Sequence, residues 1–172
     1  MPEAVRNKPV KYDAGVEQII TDVIGNLLNQ YPGLLESERI RFSSLKEDSG
    51  IAFYPVSGAK VMTESKDVLG KVSQQCNYPF YVVYRTATDS ENSKRDIKEF
   101  LDKLGDWIDM QPVIIEGQTY QLKSYPKLSD NREIKEISVT DVASPETPNE
   151  NGVQDWVIGI SFKYQKTFYR NK

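Results

Sequence analysis

The sequence predicts an α+β fold: an antiparallel or mixed sheet of about five to seven strands with two main helices packed on one face. Three observations predict it. Two segments place apolar residues at helical spacing, several short β-rich runs lie between and after them, and a long alternating run closes the chain. The length of 172 residues suits a single domain, 1–172, with a flexible N-terminal arm over about 1–12.

The first helix is read over Gly15 to Tyr31, where Val16, Ile19, Ile20, Val23, Ile24, Leu27, Leu28 and Tyr31 make one continuous apolar face. Asp13 is its expected N-cap, and Pro32-Gly33 stops it. Arg39-Ile40-Arg41-Phe42 and Ile51 to Pro55 then read as short strands. Ser57-Gly58 is a turn signal, Ala59 to Ser65 a returning hairpin partner, and Asp67 to Gly70 a further turn.

Tyr78 to Thr86 is the central strand. Phe80-Tyr81-Val82-Val83-Tyr84 is apolar on both parities, which predicts a strand that is covered on both faces or lies centrally in the sheet. A polar loop, Thr86 to Asn92, leads into the second helix, whose face is Ile97, Phe100, Leu101, Leu104, Trp107 and Ile108. Ser93 is its expected N-cap, with Asp96 completing a capping-box-like pair, and Pro112 ends it.

Gln118 to Tyr125 and Glu133 to Val142 read as strands separated by the turn Ser129-Asp130-Asn131. From Trp156 to Phe168 one parity is dominated by Trp, Ile, Phe and Tyr and the other by small and polar residues, the pattern of a long strand with one buried face. Between them, Ala143 to Gln154 carries two prolines and no periodicity. Counted from Asp141 to Asp155, the stretch has four acids, Asp141, Glu146, Glu150 and Asp155, and no base, so a long solvated acidic loop is expected.

Composition excludes more than it assigns. With 22 basic and 25 acidic residues the net charge is −3, too small and of the wrong sign for dominant phosphate binding. There is one cysteine and no histidine, which removes an intramolecular disulfide, a thiolate zinc cluster and every histidine-dependent nucleophile or metal site built from this chain alone. No window has the apolar length of a membrane span, and Met1 to Gly15 lacks the apolar core of a secretory signal.

No catalytic, cofactor-binding or metal-ligating residue is assigned. Glu36 with Glu38, and Asp106 with Asp109, read as polar surface positions. Cys76 reads as a buried, inert thiol, and the glycines lack phosphate-loop spacing. The tyrosines of the strands read as half-buried packing residues, because the basic groove needed for base stacking is missing. One constellation remains: Lys163, Lys166, Arg170 and Lys172 gather at the C-terminus, while Asp141, Glu146, Glu150 and Asp155 flank the same final strand. In a monomer this is an ordinary solvated pattern. In a ring or filament these eight residues are a candidate inter-subunit interface, with opposite patches on neighbouring copies complementing one another.

The order of elements, and in particular the unit YPFYVVYRT, loop, IKEFLDKLGDWI together with the closing DWVIGISFKYQKTFY, resembles the tail-terminator (minor capsid) proteins of tailed bacteriophages and related particles. The resemblance implies a non-enzymatic structural protein, without cofactor. It implies a homo-oligomeric, hexameric ring that binds the tail tube protein and the head–tail connector proteins, with DNA passing through it and no sequence-specific nucleic-acid or membrane contact. The implied location is the neck of the virion tail, and the host cytoplasm during assembly. Two alternatives stand beside it: another head–tail completion protein, and a small enzyme using carboxylates with a divalent cation.

Overall fold

The computed structural model describes residues 9–129 and 131–170. In chain order they form α1 (Glu17–Leu28), β1 (Ile40–Phe42), β2 (Gly50–Pro55), β3 (Lys60–Lys66), β4 (Lys71–Thr86), α2 (Glu91–Ile108), β5 (Val113–Ile115), β6 (Gln118–Tyr120), β7 (Arg132–Pro145) and β8 (Gln154–Tyr169). The α+β class predicted from the sequence is the class observed.

The main sheet has the order β1-β2-β4-β8-β7, with β3 paired to β4 as a sixth strand. Its spine is the antiparallel β4–β8 ladder, which runs without a register shift from Lys71 opposite Tyr169 to Thr86 opposite Gln154. β2 and β3 share the other edge of β4: β2 pairs with Phe80 to Arg85 and β3 with Val72 to Asn77. β3 is therefore not the hairpin partner of β2. At Ser57-Gly58 the chain moves along β4, helped by the Val56 N–H donating to the Pro79 carbonyl at 3.0 Å. β1 joins β2 in parallel, which makes the sheet mixed.

Strand alternation sorts the side chains. Tyr78, Phe80 and Val82 of β4 and Ile158, Ile160, Phe162 and Tyr164 of β8 point to one face and are buried. α1 covers that face with Ile20, Ile24, Leu27 and Leu28, and α2 with Ile97, Leu101, Leu104, Trp107 and Ile108. Tyr31, just after α1, joins the helices through an edge-on contact with Phe100 at 5.3 Å and a hydrogen bond to the Phe100 carbonyl. No second layer covers the opposite face of β4 among the described residues: Tyr81 there is 38% exposed. Of the two placements expected of β4, cover on both faces or a central position in the sheet, the structure shows the central one. In the second apolar row of β4, Val83 is buried and Tyr81 is exposed on the open face.

Both predicted helix caps move. Asp13 does not cap α1, whose N-cap Val16 makes no side-chain cap bond; the carboxylate is engaged elsewhere in the sheet. α2 begins earlier than expected, with Ser90 accepting from the Ser93 N–H, so Ser93 lies inside the first turn. Met110 at φ 61 turns the chain out of α2 before Pro112 is reached. Past β6 the expected strand to Tyr125 loses its partner, and the Tyr125 hydroxyl donates to the Ile108 carbonyl instead. The β5–β6 turn has Glu116 at φ 50 and Gly117 at φ 79, the pair of positive angles that matches strand twist.

β7 extends to Pro145 and β8 starts at Gln154, so only 146–153 remain of the loop expected over 143–154. Glu146 N–H donates to the Asp155 carbonyl, and the Asn149 side chain accepts from the N–H groups of Asn151 and Val153 at 2.9 Å each. These bonds make the segment a hairpin loop. Of the arm expected over 1–12, residues 1–8 lie outside the described residues. Lys11 accepts from the Val61 N–H, and Tyr12 bridges to Lys60.

α2 approaches the sheet at Gly105, where a Cβ would stand 2.5 Å from Val139 Cγ2 and 3.0 Å from Ile158 Cδ1. Gly105→Ala gains about 1 kcal/mol of helix propensity but overpacks this contact at a typical cost of about 1–3 kcal/mol. A net loss of about 1 kcal/mol is expected, read as a lower denaturation midpoint in urea with an unchanged slope.

Candidate assembly surface

The open face is built from residues of one parity on four strands. Across its middle the register sets Tyr54 of β2 beside Tyr81 of β4, then Gly159 of β8, then Asp141 of β7. Gly159 is needed there, because a Cβ on it would stand 2.8 Å from Asp141 Oδ2. The Asp141 side chain thus lies over the gap beside the two tyrosines. Val83, Val142 and Val157 complete a cleft of about 510 Å³ with a mixed lining, to which Ser144, Glu146 and Asp155 also contribute.

The β7 edge of the sheet is a poor docking site by comparison. β7, the outer strand beside β8, shifts register between Ile134 and Glu136, between Val139 and Asp141, and between Asp141 and Ser144. Such bulges, with Glu133, Lys135 and Glu136 along the strand, discourage another strand from adding to the edge.

The charged residues singled out in the sequence separate into paired and unpaired groups. Asp155 forms a two-point ion pair with Arg85, Nε to Oδ1 at 2.8 Å and Nη2 to Oδ2 at 3.0 Å, and this raises the Arg85 pKa. Lys166 donates to Asp13 at 3.0 Å, and Arg170 to Glu64 at 3.1 Å. Gln74 donates to Glu64 at 2.7 Å, and chiefly this bond holds the Glu64 carboxyl below its usual range. Asp141, Glu146, Glu150 and Lys163 form no ion pair among the described residues. Lys172 lies outside those residues. From Asp155 to Arg170 is fifteen residues of strand, about 50 Å, so these two stand at opposite ends of β8, while Asp141, opposite Gly159, and Lys163 lie nearer its middle.

Sequence reasoning missed the most buried polar cluster. Arg132 of β7 lies directly opposite Lys166 of β8. Two like charges in that position repel, and Asp13 lies between them. Its carboxylate, with a side chain 0% exposed, accepts from Arg132 Nε and Nη2 at 2.8 Å each, from the Tyr164 hydroxyl at 2.7 Å and from Lys166. Burial pushes the Asp13 pKa up, yet the three side-chain hydrogen bonds and the Arg132 charge outweigh it and hold the group at about 2. Burial and the bond to Asp13 raise the Tyr164 pKa. This cluster is a structural tie. Cys76, fully buried nearby, has its thiol pKa raised chiefly by burial, which leaves it without a reactive thiolate. Among the described residues no three acidic or cysteine side chains converge to hold a metal ion.

Fold and surface together define a class: an α+β protein with helices on one side of a mixed sheet and a face of aromatic, aliphatic and acidic side chains left open on the other. The fold is similar to that of a chain in the virion of native gene transfer agent (GTA) particle, with a TM-score of 0.50 and 6% sequence identity over 89% of this chain and 99% of that one. No protein-family model matches the sequence, and no curated protein does.

The Asp13 tie makes a pH prediction. Its folded pKa of about 2 lies below the roughly 3.9 of an unfolded aspartate, so its contribution is complete above about pH 4 and is lost as pH falls through about 2. The linked stability is on the order of 2 kcal/mol. Asp13→Asn should flatten this part of the acid slope and cost about 3 kcal/mol at pH 7 by breaking the buried pair, as measured by urea unfolding at pH 7, 4 and 3.

Proposed function

We propose that this chain is a structural subunit of a phage-like particle, and within that class a tail terminator. Such a subunit forms a ring on the end of the tail tube, halts tube growth and offers the surface for head–tail joining at the neck of the virion. The observation that carries the broader reading is the fold shared with the gene transfer agent virion chain along nearly the full length of both. The narrower reading rests on the resemblance of the segments that form β4, the following loop, α2 and β8.

The geometry suits this work. A terminator acts through contact surfaces, and the open face supplies one that faces away from the core. Six copies in a closed ring present identical faces in a circle, deny the next tube subunit its docking surface and leave a central passage for DNA. Partners are then the chain itself, the tube protein and the connector proteins.

Electron microscopy of the purified protein should show rings, and its mass at micromolar concentration should be about six times that of the subunit. Added to polymerising tube subunits, it should limit tube length. Tubes of unrestricted length would instead identify a completion protein that docks on the connector. A strict monomer, both alone and with the tube protein, would overturn the ring.

A further inference from the structure

The turn between β3 and β4 ends in two apolar side chains with little beside them: Val68 is 101% exposed and Leu69 81%. The turn itself is firmly held. The Asp67 carboxylate accepts from the N–H groups of Leu69 and Lys71 at 2.9 Å each, the Asp67 N–H donates to the Lys71 carbonyl, and Gly70 takes the required φ of +89. A stiff turn displays its apolar residues in one geometry, so little conformational freedom is lost when a partner covers them. Exposed Lys66 and Lys71 flank it, and neither forms an ion pair among the described residues.

The open face offers the complement. Its cleft has a mixed lining, with Tyr81, Val83, Val142 and Val157 as the apolar part and Asp141 and Glu146 among the polar part. Val142 is itself 73% exposed. From Lys71 to Tyr81 is ten residues along β4, about 33 Å, so a tip cannot enter the cleft of its own subunit. The apolar tip fits the tyrosine and valine part of the cleft, and its flanking lysines are opposite in charge to the cleft's carboxylates.

We propose that the cleft on the open face receives the Val68–Leu69 hairpin tip of a second copy of this chain, with Lys66 and Lys71 set against Asp141 and Glu146. Because tip and cleft are different patches, the contact is heterologous. It passes from copy to copy and closes where the rotation per subunit divides a full turn. Only this closure rests on the ring reading above; the pairwise contact does not.

The test compares the wild-type chain with Val68→Asp/Leu69→Asp by sedimentation. The wild type should associate, and the variant should associate at least tenfold more weakly with an unchanged melting temperature, since both side chains are exposed. A second arm mixes Leu69→Cys and Val142→Cys chains with a short bis-maleimide linker. A cross-linked dimer should form only when both variants are present, and buried Cys76 should leave the wild type unlinked. Unchanged association of the aspartate variant, absence of the cross-link, or a wild-type chain that stays monomeric would each overturn the contact. Should the aspartate variant still form rings that cap tubes, the contact fails while the terminator reading stands. Failure of the wild type to limit tube length, with the cross-link present, gives the reverse.

Discussion

The β4–β8 ladder is the constraint on which the rest of the structure depends. Both strands are sixteen residues long and pair throughout in one register. Side chains alternate with period two, so a slip of one residue would carry Phe80, Val82, Ile160 and Phe162 from the core to the open side. The ladder also exceeds the length any neighbour can match. β2 and β3 divide one of its edges, β7 follows the other with three register shifts, and both helices pack on the face that the register makes apolar. Helix position is thus a consequence of strand register, with Gly105 permitting the closest approach of α2.

A second constraint fixes the N-terminal side of the molecule. The same register that builds the core sets Arg132 opposite Lys166, a repulsive pair at a poorly solvated position. Asp13 relieves it, and in doing so leaves α1 without the side-chain cap that its sequence position would have provided. The exchange is favourable because a charge-assisted bond to a buried guanidinium is worth more than a cap bond to an exposed amide. It also anchors the segment before α1, where Lys11 and Tyr12 lie against β3.

Legibility of the sequence followed the range of the interactions concerned. Helix faces at Ile20, Ile24, Ile97 and Leu101 and the alternation from Trp156 to Phe168 were legible because periodicity is local. The role of Asp13 was not: its partners lie 119 residues away at Arg132 and 151 away at Tyr164, and a local cap rule has no access to them. The partner of β3 was misassigned for a similar reason. Hairpin logic favours the preceding strand, whereas β4 is long enough to take β2 and β3 in succession. Among the charged residues of the final strand, net charge was legible and pairing was not, so Asp155, Lys166 and Arg170 carried the same weight as Lys163 and Glu146. The hairpin tip did leave a signal, since Val68-Leu69 places two apolar residues inside a turn otherwise marked by Asp67 and Gly70.

The two-sided apolarity of Phe80 to Tyr84 takes on a different meaning in this light. In a lone subunit one row is buried beneath helices, while in the other Val83 is buried and Tyr81 stays exposed on a face without a second layer. Sequences that specify a fold tend to agree across levels, and a local disagreement of this kind tends to mark function. Burial by a second copy would cover Tyr81 as well, so that the apolar residues of the strand would be enclosed on both faces. The long ladder gives this a mechanical side. It holds the cleft at one end and the hairpin tip at the other about 33 Å apart along a continuously hydrogen-bonded strand, so a copy bound at the cleft sets the position of the next tip. Such a spacing repeats with little error from subunit to subunit, which is what closure of a ring requires.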